Sequence, residues 1–150
     1  MAMRFGMWLR GIVVLLSAQF LLGIWVDLYG SFPSTTNLGR AMMYTGDPAL
    51  SVHMVLAVLL VILAFVLAVG SFSAGAPARL RWVALGGLLA VLWAYESGLQ
   101  FVLSGFGNNL DSFSMAAAFV VAMVLYGIAQ GLVATSSPAP RPGPGVTGPA

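Results

Sequence analysis

The sequence predicts an all-α integral membrane protein, a four-helix bundle running up-down-up-down with both termini in the cytoplasm. Three observations predict it. Of the 150 residues 60% are hydrophobic and 7% charged, with a mean hydropathy of +0.99, whereas about a quarter of a soluble domain is charged. Four apolar stretches are long enough to cross a hydrocarbon core of roughly 30 Å at about 1.5 Å per residue. Arg4, Arg10, Arg79, Arg81 and Arg141 fall on one side of those spans and Arg40 alone on the other, an asymmetry that marks the cytoplasmic face.

The spans are placed at 7–28, 48–72, 80–104 and 112–133. Arg4 and Arg10 at the head of an apolar run resemble a secretory signal, but no small-x-small cleavage site follows, so the first span is read as a retained helix. Asp47-Pro48 opens the second span with a capping carboxylate and a proline where a missing N–H costs nothing. Asp111-Ser112 offers capping oxygens to the fourth. The glycine and proline of 71–77 end the second helix and leave a hairpin so short that helices two and three are neighbours. Residues 105–110 join the third and fourth equally briefly. The longest connection, 29–47, carries Leu38, Met42, Met43 and Tyr44 and is apolar enough to lie over the bundle mouth as a lid. Residues 135–150 are rich in proline and glycine, with Arg141 the only charge; such a composition buries no core and predicts a disordered tail.

Without cysteine, disulfides, thiolate metal sites, iron–sulfur clusters and thiol catalysis are excluded. A net charge of +2 from so few residues predicts no nucleic-acid partner. The expected surroundings are the lipid bilayer of a prokaryotic cytoplasmic membrane, crossed several times, with other membrane subunits or a second copy of the chain as neighbours.

Glu96 stands uncompensated inside the third apolar run. A carboxylate in lipid costs about 2.5–3.5 kcal/mol on insertion scales, so it is expected to face protein or water. Counted from Arg81 at about 1.5 Å per residue, it lies about 22 Å up, in the outer third of the core. His53 opens the second helix at the same end. Asp27 closes the first helix there, Gln100 is one turn beyond Glu96, and Asn108, Asn109, Asp111 and Ser114 lead into the fourth. These eight residues are the candidate ligand or proton site, with His53 and Glu96 as neighbours and Glu96 turned into the bundle.

Each has an ordinary reading beside the functional one. A histidine at a helix end often sits at the headgroup level, and aspartates there often cap. Gln100 and Gln19 serve equally as interhelical hydrogen-bond donors. Gly86, Ala90, Ala94 and Gly98 make a ridge of small residues for close packing, matched by Ser114, Ala118 and Ala122. Glu96 points away from that ridge with Leu89, Trp93 and Gln100, so the third helix is expected to need protein on two faces. Gln19, Gly23 and Asp27 form a similar stripe on the first helix.

One histidine supplies one axial haem ligand, leaving Met54, Met115 or a second subunit for the other. Spacing supports no metal site. Ser97 or Ser114 with His53 would compose a hydrolase triad on paper, but no nucleophile elbow surrounds either serine. A His53–Glu96 pair suits proton relay or contact with a quinone.

The segments Asp47-Pro48-Ala49-Leu50-Ser51-Val52-His53, Tyr95-Glu96-Ser97-Gly98-Leu99-Gln100-Phe101 and Asn109-Leu110-Asp111-Ser112-Phe113-Ser114-Met115-Ala116 resemble small four-helix membrane proteins of bacteria and archaea. The resemblance covers most of 10–131 and implies no activity. The layout is also similar to one half of haem A synthase, which implies a haem ligand at His53. The second ligand histidine of that family has no counterpart, since Asp111, Ser112 and Ser114 stand there. The expected function is a non-enzymatic membrane subunit or accessory protein whose outer mouth docks a partner or a small apolar ligand. A haem- or quinone-associated redox protein is the alternative, followed by a transporter or channel component.

Overall fold

The computed structural model describes residues 2–135, with side chains from Phe5 onward. Apart from Thr135, the tail expected at 135–150 lies outside the described residues. Thr135 itself is helical, its hydroxyl bonded back to the Gly131 carbonyl at 3.1 Å.

Five helices follow in order: α1 (Ala2–Tyr29), α2 (Leu38–Met42), α3 (Pro48–Ser73), α4 (Ala78–Leu103) and α5 (Asn109–Thr135). No strand occurs among the described residues. The four long helices are long and apolar enough to cross a membrane. Their outward residues agree, since Val14 and Leu21 on α1, Leu59, Ile62 and Phe65 on α3, and Val120 and Val124 on α5 are all exposed. In water such a coat would be an aggregation surface; against lipid it costs nothing.

The helix ends follow from local chemistry. Asp47 caps α3, its Oδ1 accepting from Ala49 N at 2.9 Å, while Oδ2 accepts from Ser31 N at 3.0 Å and ties down the long connection. After α3, Ala76 N donates to Ser71 O and Gly75 N to Phe72 O, a crossed pair that needs a left-handed residue, supplied by Gly75 at φ 61°. The same pair closes α4, with Phe106 N to Phe101 O and Gly105 N to Val102 O. There Gly105 at φ 70° is followed by Phe106, also left-handed at φ 62°. A phenylalanine tolerates that φ only where its ring is held.

The cap of α5 corrects the sequence reading. Asn108, not Asp111, caps it, with Oδ1 accepting from Leu110 N at 3.2 Å. Asp111 sits in the first turn and accepts from Asn108 Nδ2 at 2.9 Å. An asparagine three residues upstream of a carboxylate can bond both ways, which starts the helix one turn earlier.

Packing closes the long helices into a ring. α1 packs on α3 and α5, and α4 on α3 and α5, while among the described residues no close backbone approach joins α1 to α4 or α3 to α5. The tightest side is α4 against α5, where the expected small residues meet: Ala90, Ala94, Ala118 and Ala122 are all buried. A Cβ on Gly87 would lie 2.7 Å from Tyr126 Cζ. Tyr126, fully buried, therefore fills the ring's axis with Leu9, Leu16 and Leu60. At the other end of the ring, beside α2, the axial residues are smaller.

Candidate functional site

Gly23 on α1, Ala57 on α3 and Ala94 and Gly98 on α4 bring little volume to the lining at the α2 end, where His53 packs over Gly23 and Met115 over Gly98 without filling the space. The result is a cavity of about 90 Å³. All five helices line it. Leu38 and Met42 of α2 lie over it, as the apolar character of that connection predicts, while Phe32, Phe101 and Phe106 form one corner. Phe106 stacks on Phe32 at 4.9 Å and meets Phe101 edge-on at 5.5 Å. These contacts hold the left-handed Phe106 in place. They join the end of α4 to the start of the long connection.

The lining is apolar with a few polar groups at defined places, the usual make-up of a ligand site. Gln19 and His53 are the deepest, at 0% and 9% exposed. Gln19 Nε2 donates to the His53 main-chain carbonyl at 2.8 Å. That bond fixes which way the amide faces, because only the NH2 end can donate. Gln19 Oε1 and His53 Nδ1 are buried and have no hydrogen-bond partner. The main-chain carbonyl of Gln19 also approaches the imidazole. Against the ring's Cε1 edge lies the α1 backbone, so that a Cβ on Gly23 would fall 2.9 Å from Cε1. The Gln19–Gly23–Asp27 stripe is thus the α1 wall of the cavity, with its glycine admitting His53.

Of the eight expected site residues only His53 and Asp27 line this cavity. Asp27 sits at its rim, where Oδ1 accepts from Ser112 Oγ at 3.0 Å. Ser114 joins α5 to α4 instead, accepting from Trp93 Nε1 and from Ser97 Oγ, each at 3.0 Å. Asn108 caps α5 and is bonded to Asp111 in its first turn, and Asn109 is exposed at the first position of α5.

Glu96 requires the largest correction. It is exposed on the outside of the ring and does not line the cavity. Its carboxylate is met by Gln100 Nε2, one turn along the same helix, at 2.7 Å. The reason is the ridge: once Ala90, Ala94 and Phe101 turn inward, the opposite face carrying Leu89, Trp93, Glu96 and Gln100 must turn outward. In a ring each helix has two neighbours and one free side. Burial of Glu96 and a site shared with His53 are therefore absent, and α4 is not the central helix.

The residues present do not fit a haem. At about 90 Å³ the cavity is small for a porphyrin. The Gly23 backbone closes the imidazole edge between its two nitrogens. Met54 and Met115 share the cavity with His53. No cluster of three or more metal-ligating side chains occurs among the described residues.

Sequence reasoning overlooked Gln19 as a site residue and the Phe32–Phe101–Phe106 corner. The i, i+4, i+8 stripe on α1 was the available signal for the first. Nothing local marked the second, because it joins residues from two connections and a helix end. Comparison of the chain with family models, with curated proteins and with solved structures finds no match.

Proposed function

We propose that this chain is a non-enzymatic multi-pass membrane protein, an accessory or subunit protein, that takes a small apolar ligand into the cavity beneath α2. The observation that carries it is the coincidence of an apolar axial cavity with two buried polar atoms that have no hydrogen-bond partner, Gln19 Oε1 and His53 Nδ1. Natural interiors leave few such groups, and those found together in a cavity await water or ligand. In this reading the chain runs up-down-up-down with cytoplasmic termini, which places the cavity on the extracytoplasmic side of a prokaryotic cytoplasmic membrane.

The ligand reading is tested by purification in mild detergent with identification of bound small molecules, comparing the native chain with Ala57→Phe. Ala57 lines the cavity, and a phenyl ring there fills it. An apolar molecule retained by the native chain and lost from the variant supports the reading; retention by both refutes it. Reporter fusions at Ala134 and within 34–39 test the orientation and should fall on opposite sides, the latter outside.

A further inference from the structure

We infer that the cavity recognises an uncharged hydroxyl group, an alcohol or phenol carried on an apolar body, through Gln19 Oε1 and His53. The inference rests on the ligand reading above and gives that ligand its chemistry.

The polar inventory of the cavity is specific. Gln19 Nε2 spends one of its two N–H groups on the His53 carbonyl at 2.8 Å, and the group the amide leaves without any partner is its acceptor, Oε1. A ligand must bring a hydrogen-bond donor to satisfy it. The imidazole, with Nδ1 buried and unpartnered, donates in one tautomer and accepts in the other. A hydroxyl is the smallest group that donates to Gln19 Oε1 and also meets the ring in either state. A ketone, ester or ether only accepts, and would leave Oε1 buried and unpaired.

Charge excludes ammonium donors and anions. Among the described residues no arginine or lysine lines the cavity, and the one charged side chain at its rim is the Asp27 carboxylate. A carboxylate or phosphate would enter without a counter-charge and beside a like one. An ammonium would find no carboxylate at the depth of Gln19, since Asp27 is exposed and already bonded to Ser112. The walls suit the body of the molecule, with Met54, Met115, Phe119 and Phe101 among them; thioether and aromatic groups pack well against an aromatic or branched apolar skeleton. About 90 Å³ takes the hydroxyl head and a few carbons. Because the cavity is partly open, the rest of a longer molecule extends outward.

The chain contains a single histidine, which makes His53 its own reporter. The protein is labelled with 15N-histidine, carried on a tag free of histidine and placed in nanodiscs. It is then titrated with 4-methylphenol and with methoxybenzene. These are isomers of one formula, and only the first has an O–H. The expected result is that both move the His53 ring resonances, with 4-methylphenol half-saturating at a concentration at least about tenfold lower. In Gln19→Leu the two should half-saturate within about twofold of each other, and in Ala57→Phe neither should act. The native comparison alone decides if Gln19→Leu folds poorly. Equal half-saturation in the native protein, or a preference that survives in Gln19→Leu, overturns the hydroxyl inference while leaving an apolar ligand site intact. If neither isomer moves the resonances, the cavity holds water only, and the ligand reading falls together with this one.

Discussion

Replacing Gly23 by alanine tests whether α1 and the His53 ring are in the contact on which the cavity depends. The new Cβ would sit 2.9 Å from Cε1 and 3.5 Å from Nδ1, so the ring must yield by about half an ångström or more to reach ordinary carbon contact of roughly 3.5–4.0 Å. His53 is buried and cannot swing out freely. Overpacking of this kind costs about 1–3 kcal/mol. Alanine in place of glycine in a helix returns up to about 1 kcal/mol, so the raw change is a poor measure. Gly11→Ala on the same helix supplies the reference, because nothing lies within 4 Å of its Cβ.

Reversible unfolding in mixed micelles should therefore find Gly23→Ala less stable than Gly11→Ala by about 1–3 kcal/mol, roughly 5- to 150-fold in the unfolding constant. The double-mutant cycle with His53→Ala sharpens the reading. With the ring gone the alanine has room, so the two changes should couple by a similar amount instead of adding. Strict additivity, or a Gly23→Ala as stable as Gly11→Ala, would refute the contact and with it the assignment of α1 as the cavity wall.

Three further outcomes follow from particular contacts. Asp47→Ala removes the α3 cap and the tether to Ser31 N and should cost about 0.5–2 kcal/mol, with Asp47→Asn recovering the cap but not the tether, since its NH2 cannot accept from Ser31 N; thermal unfolding in detergent checks both. Glu96→Gln keeps an i, i+4 partner for Gln100 on the outer surface and should change stability by no more than about 0.5 kcal/mol; a loss of several kcal/mol would mean that the carboxylate has a buried charged partner. Gly87→Ala drives a Cβ to 2.7 Å from Tyr126 Cζ and should cost about 1–3 kcal/mol relative to Gly70→Ala, whose Cβ meets nothing within 4 Å. Tyr126→Leu in the same chain should relieve it.

The legible part of this fold was its punctuation and its small residues. Asp47-Pro48 and the glycine and proline of 71–77 are read directly because capping and turns depend on one or two residues each. The ridge on α4 was equally plain, since close packing of membrane helices selects glycine and alanine at every fourth position. Direction was not legible. In a helix that is apolar nearly all round, periodicity says which residues share a face but not which face is inside. For Glu96 the cost of lipid exposure argued inward, and the ridge, which packs against a neighbour over several turns, argued the other way. Packing along a whole helix outweighs one carboxylate that can bond Gln100 near the membrane surface. The cavity was illegible for a related reason: it is made by what four helices lack at one level, and no segment carries that information alone.

That missing volume has a cost, which bears on why it persists. A cavity of about 90 Å³ forgoes about 2 kcal/mol at ~24 cal/mol per Å³. Two buried polar atoms without partners, Gln19 Oε1 and His53 Nδ1, cost about 1–3 kcal/mol each. A leucine at 19 or a larger side chain at 57 would remove much of this penalty without disturbing the ridge, the caps or the far end of the axis. The chain instead keeps a glycine where the imidazole must enter and a glutamine whose free end faces the space. A molecule that fills the volume and donates to Gln19 would offset both terms at once, which water, lacking an apolar body, does only in part. The same two residues that make the empty protein weaker make the occupied one selective.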